Sequence, residues 1–192
     1  MKPRNIIALL IVLAAGEIAG SICSVLHPQQ ELWYLAFVQH GIGVLSKSFR
    51  AMLTPVLLYS LLWLMLFAIL GLTVCAAPSA LLLLFLHGMT IGAVLAGYYS
   101  GHILTGLLKT LLFVTPYAAA QTGLLLLAAR ESLRSSRLLK RMLSCGTEPN
   151  GSFRDYVLRY LVLAAGLLLT GMAQAFWGGS VCPLVLHWLV RR

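Results

Sequence analysis

Residues 51–129 contain three long apolar runs and a single formally charged residue, Lys109. The first run covers 51–72, the second 79–99 and the third 103–129. A 22-residue helix is roughly 33 Å long, because each residue adds about 1.5 Å, and this length crosses the hydrocarbon core of a bilayer. The three runs therefore predict membrane-spanning helices at the centre of the chain.

Two further apolar runs, 6–26 and 156–177, lie on either side of this centre. Hydrophobic residues make up 60% of the 192 residues and charged residues only 10%, whereas a soluble domain carries about a quarter charged residues. We therefore predict an all-α, polytopic integral membrane protein of about five transmembrane helices. A chain of this length leaves no room for a second folded domain, so 1–192 is interpreted as one membrane domain.

The basic residues cluster in one connecting segment, predicted as a loop over 130–155. It and its margin hold Arg130, Arg134, Arg137, Lys140, Arg141, Arg154 and Arg159. Such clusters mark the cytoplasmic side of membrane proteins, where they also meet anionic headgroups. The net charge of +9 is explained in this way, and no nucleic-acid partner is expected. With the N-terminus inside, five spans place residues 27–50 outside.

In residues 28–50, apolar side chains recur every three or four positions among polar ones, which indicates an amphipathic helix. We predict that this helix lies on the membrane surface. It either docks a partner or simply packs on the helix bundle. The candidates for docking are Glu31, Trp33, Tyr34 and Lys47.

Two titratable residues interrupt the predicted spans. Glu17 lies in the first span, where a carboxylate is costly and should face protein or water. It is either a relay or ion-site residue or a carboxyl that bonds a neighbouring helix. His87 lies inside the 79–99 span, and a hydrogen-bonded interior histidine is favoured over a metal ligand because no second ligand stands at helical spacing. Beyond it, Gly88, Gly92 and Ala96 are four residues apart and predict a small-residue packing face.

The 103–129 segment is broken by Pro116, with Lys109 before the break and Gln121 after it. Proline removes a helical hydrogen bond and kinks a helix. The pieces 103–114 and 117–129 are each too short to span alone. The segment is therefore either a kinked helix or a pair of half-helices that meet inside the membrane, as in transporter sites. Gln121 could satisfy the freed backbone groups.

The motifs that carry enzyme chemistry are missing from the sequence. It has no glycine-rich phosphate loop, HExxH or GxSxG, and its four cysteines have no CxxC spacing. Five carboxylates in the whole chain leave little material for acid–base catalysis. We expect no catalytic residues, no cofactor and no metal site, and hence no enzyme.

A series of short motifs runs along the chain in a recognisable order. Residues 30–35 read Gln-Glu-Leu-Trp-Tyr-Leu and residues 45–47 read Leu-Ser-Lys. Gly71-Leu72-Thr73 is followed by Pro78, then by Gly88, Gly92 and Gly97, by Pro116, by the basic loop and by a last span. In this order the chain resembles the stage II sporulation protein M family over nearly its whole length. Gln174 stands where that family often has an acid.

The resemblance implies a multi-pass membrane protein of the sporulation septum, in the mother-cell membrane. It implies a scaffold that localises two peptidoglycan-degrading partners, stage II sporulation proteins D and P, during engulfment of the forespore. The alternative is a small transporter or permease component that uses the helix break at Pro116 together with Glu17 and Lys109.

Overall fold

The structure is a computed structural model. It describes residues 3–26, 49–73, 75–99, 110, 115–145 and 153–177. This part of the chain contains five helices. Helix α1 is Pro3–Leu26, α2 is Phe49–Gly71, α3 is Ala76–Tyr99, α4 is Thr115–Cys145 and α5 is Phe153–Phe176. Within these ranges there is no strand. The predicted all-α class is confirmed for this part of the chain.

Four of these helices are long and apolar enough to cross a membrane. The candidate spans are Ile6–Leu26, Leu53–Gly71, Ala76–Gly97 and Arg154–Phe176, close to four of the five predicted spans. Their outer faces are apolar: Val25 and Val162, for example, are each 71% exposed. Continuous exposed apolar surface of this kind is unfavourable in water and favourable in lipid, so the helices fit a multi-pass membrane protein.

A tight turn joins α2 to α3, in a stretch that carries no charge. The amide of Leu72 donates to the Ile69 carbonyl at 3.1 Å and that of Thr73 to the Leu70 carbonyl at 2.9 Å. The Thr73 hydroxyl donates to the same Leu70 carbonyl at 2.8 Å. These bonds satisfy carbonyls that the helix end leaves free, and the turn sets α2 and α3 antiparallel.

Helices α2, α3, α4 and α5 form a bundle, and α1 packs on its outside, chiefly against α3. Contacts along the helices give their directions: Gly71 approaches Tyr156 while Gly171 approaches Leu57, so α2 and α5 are antiparallel. Helix α4 runs parallel to α2 and antiparallel to α5. The centre of the apolar core consists of Phe67, Leu84, Leu125 and Leu167, none more than 1% exposed.

Glycines allow α1 and α3 to run parallel with their backbones in contact. A Cβ built at Gly16 would overlap the Phe85 carbonyl, and one built at Gly92 would overlap the backbone of Glu17. Gly20 and Gly88 are similarly confined. The Ser21 hydroxyl lies 3.0 Å from the Gly92 carbonyl, to which it donates across the interface. Close backbone approach through small residues is the usual means of helix association in membranes.

Helix α4 differs from the expected span followed by a loop. Pro116 is its second residue, where the missing N–H would be free in any case. The whole helix is 31 residues long, so residues 130–145 are helical where a loop was predicted. The other predicted half-helix, 103–114, lies outside the described residues apart from Thr110. The predicted surface helix, 28–50, also lies outside them, except for its last two residues, which begin α2.

One end of the bundle is basic. Four parts of the chain meet at this end because of the helix directions: the start of α1, the α2–α3 turn, the second half of α4 and the start of α5. Eight of the nine basic residues in the described part of the chain lie here: Arg4, Arg130, Arg134, Arg137, Lys140, Arg141, Arg154 and Arg159. The ninth, Arg50, lies at the opposite end. We call this end of the molecule the basic end.

Candidate functional site: polar contacts inside the bundle

Seven polar side chains from four helices meet inside the bundle, and each is at most 9% exposed. We call this set the interior polar network: Tyr59 and Ser60 of α2, His87 and Thr90 of α3, Gln121 and Thr122 of α4, and Gln174 of α5. Buried polar groups in an apolar setting are expensive unless they are hydrogen-bonded. Their bonding pattern therefore decides what the network can do.

One branch of the network is built on the two buried amides. The Gln121 Nε2 group donates to Gln174 Oε1 at 3.0 Å and to Ser60 Oγ at 3.3 Å. An amide nitrogen has two N–H donors, so both bonds form together. Ser60 in turn donates to the Val56 carbonyl at 2.9 Å. This branch ties α4 to α5 and to α2.

The other branch is built on His87, which is 2% exposed. Its Nδ1 atom lies 3.1 Å from the Tyr59 hydroxyl, and its Nε2 atom lies 3.4 Å from Thr122 Oγ1. The Tyr59 hydroxyl also lies 3.0 Å from Thr90 Oγ1, which donates to the His87 carbonyl at 2.7 Å. This branch ties α3 to α2 and to α4.

The hydroxyl protons give this second branch a direction, because each hydroxyl has one proton to donate. Thr90 uses its proton on the His87 carbonyl, so it accepts from Tyr59. The Tyr59 oxygen then accepts from Nδ1–H of His87. In the neutral ring Nε2 is consequently an acceptor, and Thr122 donates to it. A neutral His87 in these contacts therefore carries its proton on Nδ1.

Aromatic rings enclose the imidazole. The Trp63 ring meets that of His87 edge to face, with centroids 5.3 Å apart and planes at 68°, and the Tyr59 ring is stacked on it at 6.1 Å. Trp63 is itself 8% exposed. His87 is therefore packed on its faces as well as bonded at both nitrogens, which suits a fixed interior histidine.

Glu17 lies on the other side of α3 from this network. Gly88 and Gly92, which contact the Glu17 backbone, point roughly opposite to His87 and Thr90 at 100° per residue. Within the described residues, the structure does not bring together the two titratable side chains singled out by sequence. Lys109, which the transporter alternative combines with Glu17, lies outside the described residues.

We expect Glu17→Gln to leave the stability of the bundle unchanged within about 0.5 kcal/mol. The reason is that α1 contacts α3 through backbone and glycines rather than through the carboxylate. Thermal unfolding of the purified protein in detergent measures this, with Gly20→Leu as a variant of the same helix that should be strongly destabilised. A large loss of stability in Glu17→Gln would show that the carboxylate has a partner.

The remaining sequence candidates fall into two groups. Ala96 is half-buried, one turn beyond Gly92 on α3. The docking candidates Glu31, Trp33, Tyr34 and Lys47 lie outside the described residues.

The network contains no carboxylate, and a histidine flanked by hydroxyls with no acid behind it lacks the orienting group of a hydrolase triad. Across the described ranges no group of three His, Cys, Asp or Glu residues is placed to hold a metal ion. The arrangement is suited to joining helices: every member bonds another helix or its own backbone.

Sequence reasoning found His87, Gln121 and Gln174 but missed their hydroxyl partners, Tyr59, Ser60, Thr90 and Thr122. Thr90 could have been found, since it lies three residues after His87 and shares its helix face. Tyr59, Ser60 and Thr122 each bond a residue on another helix, and no sequence signal pairs them with these partners.

Comparison with known proteins gave no relative: no protein-family model, no curated protein and no solved structure matches the chain.

Proposed function

We propose that the chain is a multi-pass membrane scaffold rather than a conduit or an enzyme. The observation that carries this proposal is the interior polar network, whose members are bonded to one another across four helices. In a transporter, polar groups at membrane depth line a path for water or substrate. Here they satisfy each other, which favours a bundle that holds its shape and presents its surfaces to partners.

We further propose a five-span topology in which α4 supplies the fifth crossing. Gln121 bonds Ser60 and Ser132 lies against Gly71, so residues 121–132 run beside 60–71 at matching depth. Extending that register places Pro116 near the outer end of the membrane rather than at its centre. The excess of basic residues assigns the basic end to the cytoplasm.

The partners we propose are peptidoglycan-degrading enzymes, and the resemblance to the stage II sporulation protein M family supports them. In the proposed orientation α1 ends and α2 begins on the extracytoplasmic side, where such enzymes work. The docking candidates Glu31, Trp33, Tyr34 and Lys47 belong to the connection between these two helices. On this proposal the protein localises the sporulation proteins D and P at the septum for engulfment.

Affinity purification of the tagged protein from sporulating cells tests this function, with imaging of its position at the septum. Recovery of peptidoglycan hydrolases, together with a block in engulfment on deletion, is the expected result. A variant with alanine at Glu31, Trp33, Tyr34 and Lys47 should lose the hydrolases while keeping its abundance in the membrane. Recovery of a nucleotide-binding subunit in place of hydrolases, or an even distribution around the cell, would instead favour a permease component.

A further inference from the structure

A groove between α4 and α5 opens on the surface of the bundle near the basic end. It encloses about 320 Å³ and is lined by Leu127, Glu131, Leu158, Arg159, Val162 and Leu163. Four of these six residues are aliphatic: Leu127, Val162 and Leu163 lie toward the membrane interior, and Leu158 lies beside Arg159. The two charged residues lie at the other extremity, which we call the mouth of the groove.

The mouth holds more positive than negative charge. Glu131 Oε2 lies 2.8 Å from Arg159 Nη1 and 4.0 Å from Arg134 Nη1. The carboxylate is mostly covered, with 19% of its side chain exposed, whereas the arginines are 44% and 58% exposed. A guanidinium has five N–H donors, so each arginine keeps donors free after its contact with Glu131. Among the neighbouring charges, Asp155 lies one turn before Arg159 and Arg130 precedes Glu131.

The groove lies at the depth where lipid headgroups begin. Ser132, next to Glu131, is at the level of Gly71, the last residue of α2. Leu158, at the same level, and Val162, one turn further in, are 48% and 71% exposed, so the apolar walls are continuous with the lipid-facing surface. Basic pockets between membrane helices at a cytoplasmic face are suited to anionic headgroups.

We propose that this groove binds one anionic glycerophospholipid of the inner leaflet. Its phosphate contacts Arg134 and Arg159 at the mouth, and one acyl chain lies along Leu127, Leu158 and Val162. The combination of free guanidinium donors above and an open aliphatic channel below matches a molecule that is charged at one end and apolar along its length. A lipid bound here would brace α4 against α5 just where α4 leaves the membrane.

Native mass spectrometry of the whole protein, released from membranes of mixed phosphatidylglycerol and phosphatidylcholine, tests the proposal. We expect one phosphatidylglycerol to be retained by the parent protein. Arg134→Gln and Arg159→Gln should each lower its retention about fivefold, the usual effect of one basic residue near a charged surface. Lys140→Gln is the matched control, because Lys140 is exposed on the opposite face of α4 and loses the same charge.

Two further variants keep the proposal falsifiable if Arg159→Gln folds poorly. Glu131→Gln removes the competing carboxylate and should raise phosphatidylglycerol retention, whereas Val162→Trp fills the channel and should abolish it without changing charge. Equal losses in Lys140→Gln and Arg159→Gln would overturn the site in favour of general attraction to a basic surface. Displacement of the lipid by millimolar inorganic phosphate would overturn the lipid site in favour of a free-anion site. A second copy of the chain bound in place of the lipid would overturn it in favour of a dimer contact.

Discussion

Gly92→Leu is expected to detach α1 from the bundle. A Cβ at Gly92 would overlap the carbonyl, carbonyl carbon and Cα of Glu17, and backbone on both sides of the contact cannot move aside as a side chain can. The cost should reach or exceed the roughly 1–3 kcal/mol of ordinary overpacking. For a domain of this size a cost of about 3 kcal/mol lowers the melting temperature by about 6–12 °C.

The matched control for this prediction is Gly97→Leu on the same helix. A Cβ at Gly97 meets nothing within 4 Å, so its melting temperature should stay close to that of the parent. Thermal unfolding in detergent measures both variants, and co-purification of a separately expressed α1 with the remainder of the chain reports detachment directly. Equal melting temperatures for the two variants would contradict the parallel contact of α1 with α3.

His87→Ala is expected to destabilise the bundle by about 2–5 kcal/mol, as removal of a large buried side chain usually does. The substitution leaves a cavity beside Trp63 and takes away the partner of both Tyr59 and Thr122. His87→Asn should cost less, because an asparagine N–H can occupy the place of Nδ1–H and still donate to Tyr59. Reversible unfolding in mixed detergents gives the free energies.

A double-mutant cycle between Tyr59→Phe and His87→Ala isolates the bond between these two residues. The expected coupling is about 0.6–1.7 kcal/mol, the range measured for hydrogen bonds between membrane helices. Additive effects of the two substitutions, or an Asn variant no better than the Ala variant, would contradict the proton arrangement proposed for His87.

The positions of the spans could be predicted from sequence because length and apolarity alone decide them. Runs of about 20 apolar residues have few alternatives to a membrane helix, and the described helices agree with four of the predicted runs to within a few residues. The turn before Pro78 was equally readable, since it contains no charge and joins two such runs directly.

The continuation of α4 past Ala129 was not predicted, because the charges that begin at Arg130 were interpreted as the start of a loop. Most of those charges, Arg130, Arg134, Arg137 and Arg141, follow one face of a helix. On its other face Ser132, Leu133 and Ser136 are buried. They continue the three- and four-residue spacing of the buried positions in the apolar segment before them. That periodicity was a usable signal. A helix that leaves the membrane keeps its hydrogen bonds and only changes the polarity of its outer face.

The register between helices could not be predicted, and the interior network depends on it. Composition alone identified His87, Gln121 and Gln174 as unusual residues in apolar runs. Their pairing with Tyr59, Thr122 and Ser60 depends on how far each helix is shifted along its neighbour, which is fixed by packing of aliphatic side chains of similar size.

A scaffold of the proposed kind requires a polar interior that is closed to water and holds the helices together. Cysteine accessibility tests it in a variant from which the four native cysteines have been replaced. Single cysteines are introduced at Ser60 and Thr122 within the network, and at Lys140 and Thr115 as exposed controls at the two ends of the bundle. A membrane-impermeant thiol reagent is then applied to each face of native vesicles.

The predicted result is labelling of Lys140→Cys from the cytoplasmic face alone and of Thr115→Cys from the outer face alone, with Ser60→Cys and Thr122→Cys unlabelled from both. Labelling of either network position from one face would contradict the sealed interior. It would show a water-filled path to the middle of the bundle and favour a transporter over a scaffold.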